Sequence, residues 1–388
     1  MYNQYAITKE KYMINLQEHP FFTPFTDPLS GIKSYVLTKR IAPIQQTFYF
    51  TNPNVSQDGR YLWIVTGFPP NLTRTLAAVD LEKCEIHHFP QAPVESEVPR
   101  ISSDGTDVLF TVKDSVYKMN LFGEVKKIMQ LPQSFVRNRL ITRLSTHLSI
   151  TCDQKYMILD GAIGNHWFLA LGELDTGNVE VIKEFRMHHN HAQASPTDPD
   201  IIEIAQDHFK DPNTGEHFHY DQRMWILNKK ATRFEPLRAD NLGRPYLGIC
   251  HEFFSQDGWL CYVDYEYGAR ELNINTREDN PVWEVPLCHV HCNKDRTEWV
   301  ADESPYFWTE RPCQVRYFDR NTKTEINIFS AMLLPKLPRE GYHVDPHPQF
   351  VFNDQWIVST TTVLDGNIDV AITPVENCKK QLHKGRRL

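Results

Sequence analysis

One short turn recurs seven times along this chain. Each copy has a small polar residue, an Asp-Gly-like turn and then a run of alternating apolar residues. Asp58, Asp104, Asp153, Asp198, Asp257, Asp295 and Asp354 mark the copies, at spacings of 46, 49, 45, 59, 38 and 59 residues. An Asp-Gly turn followed by alternating apolar residues opens a β-hairpin. Several copies are followed by another strand and turn, as around Asp175-Thr176-Gly177 and Asp319-Arg320-Asn321. About four strands per unit, repeated every 40–50 residues or so, is the rhythm of a propeller blade. The expected fold class is therefore all-β: a seven-bladed β-propeller closed by an N-terminal strand. A two-sheet sandwich is the alternative, and seven even repeats count against it.

The repeats divide the chain. Residues 1–26 read as an N-terminal extension, 27–378 as the propeller, and 379–388 as a basic, frayed tail. The segment 27–38 reads as an outer strand that completes the last blade, because a closed ring leaves no sheet edge exposed. The two long intervals imply loop insertions at 206–220 and at 304–312 or 330–342. Loops of that length often carry function.

Composition narrows the function. Apolar residues are 41% and charged residues 23%, ordinary for a globular chain. Apolar runs stop at about five residues, far short of the roughly 20 of a membrane-spanning helix, so no membrane partner is expected. A net charge of −8 argues against nucleic acid as a partner. It also means that an acidic ligand would need local cations. The first ten residues carry no apolar stretch of the signal-peptide kind. The expected compartment is cytoplasmic, with the eight Cys reduced.

Histidines concentrate where the later blades begin: 11 of 17 lie between 188 and 347. In a propeller the segments before the innermost strands converge on the axis. His343, Asp345 and His347 alternate, with Pro346 and Pro348 holding the backbone extended. Alternate residues of an extended chain point the same way, so these three read as metal ligands. The other reading is a loop whose histidines bond locally. His289 and His291 alternate between Cys288 and Cys292; one His given to an axial metal fits better than a zinc site, which lacks a second Cys pair. His251, within Cys250-His251-Glu252, is placed to take a proton, or is a buried hydrogen-bonded histidine. Arg223, among apolar neighbours, reads as a carboxylate clamp or as half of a salt bridge. His191 or Gln193 could line the same pocket against substrate. Phosphate loops, Gly-x-Ser-x-Gly elbows and His-Glu-x-x-His motifs are absent from the sequence.

Taken together, these segments resemble the oligogalacturonate lyases of polysaccharide lyase family 22. The likeness rests on His251-Glu252-Phe253, on His289 with Asn293, on Pro346-His347-Pro348 and on Arg223-Met224-Trp225. It implies a cytosolic seven-bladed propeller with a divalent cation, Mn2+ above others, on its axis. It implies cleavage of an acidic oligosaccharide, a short oligogalacturonate, by β-elimination in pectin degradation. It makes His251 the catalytic base, Arg223 the substrate-binding arginine, and His289 and His347 metal ligands. Asp345 stands where the family has the first His of a His-Pro-His. The family's glutamine ligand has no counterpart; Tyr342 or His343 occupies that region. The family's Cys-His-Glu-Gly segment is here Ala205-Gln206-Asp207-His208. A carboxylate in place of an imidazole still suits a hard ion. An ordinary imidazole pKa of about 6.5 would make activity fall below that pH. Two other classes share the same pocket: a metal-dependent isomerase or hydrolase of a sugar acid, and a non-catalytic binding propeller.

Overall fold

A computed structural model describes residues 14–94, 97–220, 222–238, 248–303, 310–336 and 344–385. It has seven antiparallel sheets in sequence order around a common axis, each with its first strand innermost. Blade 1 comprises Ile44–Gln46, Tyr61–Gly67, Arg74–Asp80 and Glu85–Val94. Blade 2 comprises Arg100–Ile101, Asp107–Val112, Ser115–Asn120 and Val125–Gln130. In blade 3, Arg143–Leu144 and Ser149–Ile150 both pair with Tyr156–Ile163, followed by His166–Glu173 and Val179–Phe185. Blade 4 is His189–Ala194, Ile201–Gln206, Met224–Asn228 and Phe234–Pro236. Blade 5 is Ile249–Phe254, Trp259–Asp264, Gly268–Asn273 and Asp279–Trp283. Blade 6 is Val290–Cys292, Glu298–Asp302, Val315–Asp319 and Thr324–Phe329.

The recurring turns fold for a local reason. In four blades a hydroxyl two residues before the anchor Asp donates to its carboxylate at 2.6 Å: Ser56 to Asp58, Ser102 to Asp104, Thr151 to Asp153 and Ser255 to Asp257. In the first three the same carboxylate accepts the backbone N–H two residues on. The Asp thus closes an Asx-type turn that reverses the chain between the two innermost strands. Gly59 follows its anchor with φ +78°, and a Cβ there would lie 2.7 Å from the Phe352 ring of blade 7. Glycine is needed there for the backbone and for the neighbour alike.

Blade 7 closes the ring. Gln349–Val351, Trp356–Thr361 and Asp369–Pro374 come from the C-terminal side, and Lys33–Leu37 and Phe22–Thr26 from the N-terminal side. The closing register pairs Tyr35 with Ile372 and Val36 with Ala371. Between blades 7 and 1, Val358, Val370 and Ile372 pack on Leu62, Ile64, Ala77 and Val79. Burying each such aliphatic side chain is worth about 1.5–3 kcal/mol.

Two expected boundaries move. The sheet already begins at Phe22 rather than at residue 27, because Phe22–Thr26 pairs in full with Lys33–Leu37. The segment expected to fray from 379 is instead helical, Val375–Gly385. Its Cys378 and Leu382 pack against Ile32, Val36 and Phe329, and Gln381 Nε2 donates to Gly31 O at 2.8 Å. The helix thus locks the closing hairpin in place. The insertion at 206–220 contains a two-stranded ribbon, Phe209–Lys210 with His217–Phe218. No helix among the described residues is long and apolar enough to cross a membrane.

Candidate active site on the propeller axis

Five successive blades each send one histidine to the axis. They are His147 (blade 3), His191 (blade 4), His251 (blade 5), His289 (blade 6) and His347 (blade 7). Blade 1 contributes Tyr49, whose ring lies 5.4, 6.4, 6.3, 5.6 and 4.8 Å from those five imidazoles in that order. The backbone is distorted to achieve this. His191, His251 and His347 have φ of 57°, 58° and 46°, and the innermost strands of blades 4 and 5 are bulged between Asn190 and Gln193 and between Cys250 and Phe253. A bulge re-aims one side chain out of the pleat, and each left-handed non-glycine residue costs on the order of 1–3 kcal/mol. Strain repeated at three equivalent positions marks where function has shaped the fold.

His289, Asp345 and His347 offer ligand atoms that all lie within 4.8 Å of one another, and all three residues are buried. A carboxylate with two imidazoles suits a Mn-type cation. The neighbouring group His251, Cys288 and His289 satisfies the same distance. Its thiol is a soft donor, less suited to such an ion than a carboxylate, and burial, then Asp302 and Asp345, push Cys288 upward. His343 lies outside the described residues. Cys292 packs with Cys261 in the apolar core between blades 5 and 6. His291 stacks on Phe253 at 5.1 Å, and its Nδ1 accepts the Phe350 N–H at 3.1 Å.

Asp302 stands behind the donors. Its Oδ1 accepts the His289 backbone N–H at 2.9 Å and lies 3.0 Å from His289 Nδ1, while Oδ2 accepts the His347 N–H at 2.9 Å. Nδ1–H is thereby fixed on His289, and Nε2 is left as the ligand atom. Burial opposes protonation of His289, yet the Asp302 carboxylate outweighs it and raises the imidazole. If these donors hold a divalent cation, Asp302→Ala should weaken its binding about 10–100-fold, as read by metal titration. Unchanged affinity would remove Asp302 from the centre.

His251 lies between two phenols. Its Nδ1 is 2.8 Å from Tyr49 Oη and its Nε2 is 2.7 Å from Tyr265 Oη. Burial, then the neighbouring His289 and Arg223, hold it well below the ordinary imidazole value. It is therefore neutral, the form a general base requires. His147 Nε2 and His191 Nδ1 are 2.7 Å apart, so one donates and the other accepts, and burial holds both below the ordinary imidazole value. His147 is pushed down to about 3 by burial, then by Arg143 and Arg223. A cavity of about 230 Å³ runs beside this pair, lined also by Tyr49, His347, Arg74 and Glu97.

Arg223 is held in ion pairs. Its Nε and Nη2 reach both Glu252 oxygens at 3.2 and 3.1 Å, and its Nη1 reaches Asp207 at 3.1 Å. Of the two readings of this residue, the geometry has the salt bridge. Gln193, expected beside His191 at the substrate, instead donates to the Glu252 carbonyl at 2.8 Å. The bulge at His191 turns the two residues apart, one to the axis and one into the contact with blade 5.

The neutral histidines make stability depend on pH. His147 and His291, both pushed down to about 3 by burial, stay unprotonated in the fold and take protons near pH 6.5 when unfolded. The unfolded state then binds more protons, so stability should fall steadily as pH drops from 6.5 toward 3. Urea midpoints measured across that range check this; a flat profile would contradict it.

No protein-family model matches the chain, and no curated protein sequence matches it significantly. Solved structures do. An oligogalacturonate lyase in complex with manganese matches with a TM-score of 0.73 at 18% identity, covering 91% of this chain and 96% of that one. The chain has the oligogalacturonate lyase fold. A second such lyase, from Vibrio parahaemolyticus, matches at 0.75 and 20% identity, with the same coverage of 91% and 96%. A puromycin hydrolase mutant shares the propeller less closely, at 0.55 and 9% identity over 87% of this chain and 53% of that one. The seven-bladed, almost all-β architecture is thus that of the lyases along nearly their whole length.

Proposed function

We propose that this chain is a divergent oligogalacturonate lyase: a metal-dependent enzyme that cleaves short uronate oligosaccharides by β-elimination. The observation that carries the reading is the convergence of His251 with His289, Asp345 and His347, from three blades, on one axis. His251 and His289 rings are 4.1 Å apart, and His289 and His347 rings 4.4 Å. A proton α to a carboxylate is too weakly acidic to be taken by imidazole unless the carboxylate's charge is met. His289, Asp345 and His347 would hold the divalent cation that supplies this Lewis acidity. His251, neutral and oriented by Tyr49 and Tyr265, is the base. The 230 Å³ cavity lined by Tyr49, His147, His191 and His347 has room for about one sugar ring. Arg223 supports the site by fixing Glu252, the residue after the base.

Oligogalacturonate with Mn2+ should yield the ultraviolet absorbance of a new C4–C5 double bond, with no water added to the product mass. Absence of that absorbance on every uronate oligomer would end the lyase reading. Products heavier by one water would make the protein a hydrolase instead.

A further inference from the structure

Elimination needs two proton transfers, and the base accounts for one. The leaving sugar oxygen also needs a proton, and the residue that gives it must reach the reaction centre from the solvent side. Two hydroxyls touch His251, one on each nitrogen. Tyr49 lies among the imidazole rings on the axis. Tyr265 differs. It sits in the loop joining the second and third strands of blade 5, next to Tyr267, which is 53% exposed. Its backbone is pinned on both sides, N–H to Gly248 O at 3.0 Å and C=O from Leu287 N–H at 3.1 Å. Its ring meets His251 edge to face at 5.5 Å.

We propose that Tyr265 is the proton donor to the leaving sugar oxygen, with its hydroxyl poised 2.7 Å from His251 Nε2. The assignment rests on the lyase reading above. It gives His251 one tautomer: Nδ1–H donates to Tyr49, and the Nε2 lone pair accepts from Tyr265. On substrate binding the Tyr265 O–H turns to the glycosidic oxygen and frees Nε2. Nε2 takes the proton from C5, and the C5–H electron pair becomes the C4–C5 double bond. The C4–O bond breaks with its pair on oxygen, which takes the Tyr265 proton. The imidazolium then returns its proton to the phenolate across the restored hydrogen bond, and both residues are regenerated. Burial, then the nearby Cys250 and Cys288, push the phenol upward, which keeps it protonated until it is needed.

The test compares Tyr265→Phe, Tyr49→Phe and His251→Ala on two substrates in the intact enzyme with Mn2+. One is oligogalacturonate. The other is a 4-deoxy-4-fluoro uronide, whose fluoride departs as an anion and needs no acid. Tyr265→Phe should lose about 10²–10⁴-fold in kcat on the oligomer, with KM little changed, and lose at least tenfold less on the fluoride, where only its orienting bond to His251 is missed. His251→Ala should lose both. Melting temperature and Mn2+ titration check that the Phe variants are folded and loaded. Equal loss on both substrates would make Tyr265 a positioning residue only, and full activity on the oligomer would exclude it; either overturns the proposal. The selective pattern in Tyr49→Phe instead would give the role to Tyr49. Wild type inactive on both would remove the lyase reading and this proposal with it.

Discussion

His251→Ala should abolish elimination on oligogalacturonate, with a fall of at least about 10²–10⁴-fold in kcat, while Mn2+ affinity stays within a few-fold of wild type. The two should separate because His251 bonds to phenols on both nitrogens, whereas His289, Asp345 and His347 form a donor set without it. Loss of metal binding in parallel would make His251 a ligand in the group with Cys288 and His289. The pH profile adds a second readout. An ordinary imidazole places the acid limb near 6.5. Burial, His289 and Arg223 all disfavour the imidazolium here, and a bound cation would act in the same direction. The base stays neutral below pH 6.5, so the expected limb shifts to lower pH. A kcat profile that turned down at 6.5 would contradict the packing around His251.

Arg223→Met should destabilise the fold by about 3–5 kcal/mol, since breaking a buried pair strands its partners. Glu252 and Asp207 would lose the one guanidinium that bridges them. Glu203, fully buried nearby, is already pushed upward by burial and by Glu252, so the cluster holds little spare positive charge. Arg223→Lys keeps the charge but loses the two-pronged grip on Glu252, and should fall between wild type and Met. Urea unfolding measures both. A loss below about 1 kcal/mol in Met would mean that Arg223 acts mainly on substrate, as a clamp.

The axial pattern was partly visible in the chain. His251 and His289 stand six residues before their anchors Asp257 and Asp295, and His347 seven before Asp354. His147 stands six before Asp153, with no second histidine or proline beside it. The carboxylates Asp160 and Asp302 each lie seven residues after an anchor. Asp302 braces His289, and Asp160 takes the N–H and hydroxyl of Thr146 at 2.9 and 2.6 Å, next to His147. An acid at the end of an apolar strand reads in isolation as the start of a loop.

Local chemistry fixed the blades. A hydroxyl, an anchor aspartate and an alternating run make a hairpin wherever they occur, so fold class and blade count followed from neighbours in sequence. What gathers on the axis is a different kind of fact. Tyr49 reaches His251, and Asp302 the His347 N–H, only because separate blades meet there. Whether His191 and Gln193 point together or apart turns on a single bulge, since one extra residue reverses which face the next side chain takes. Closure of the ring decided those positions, because contacts between blades form only after the strands that carry them have been wrapped around a common centre.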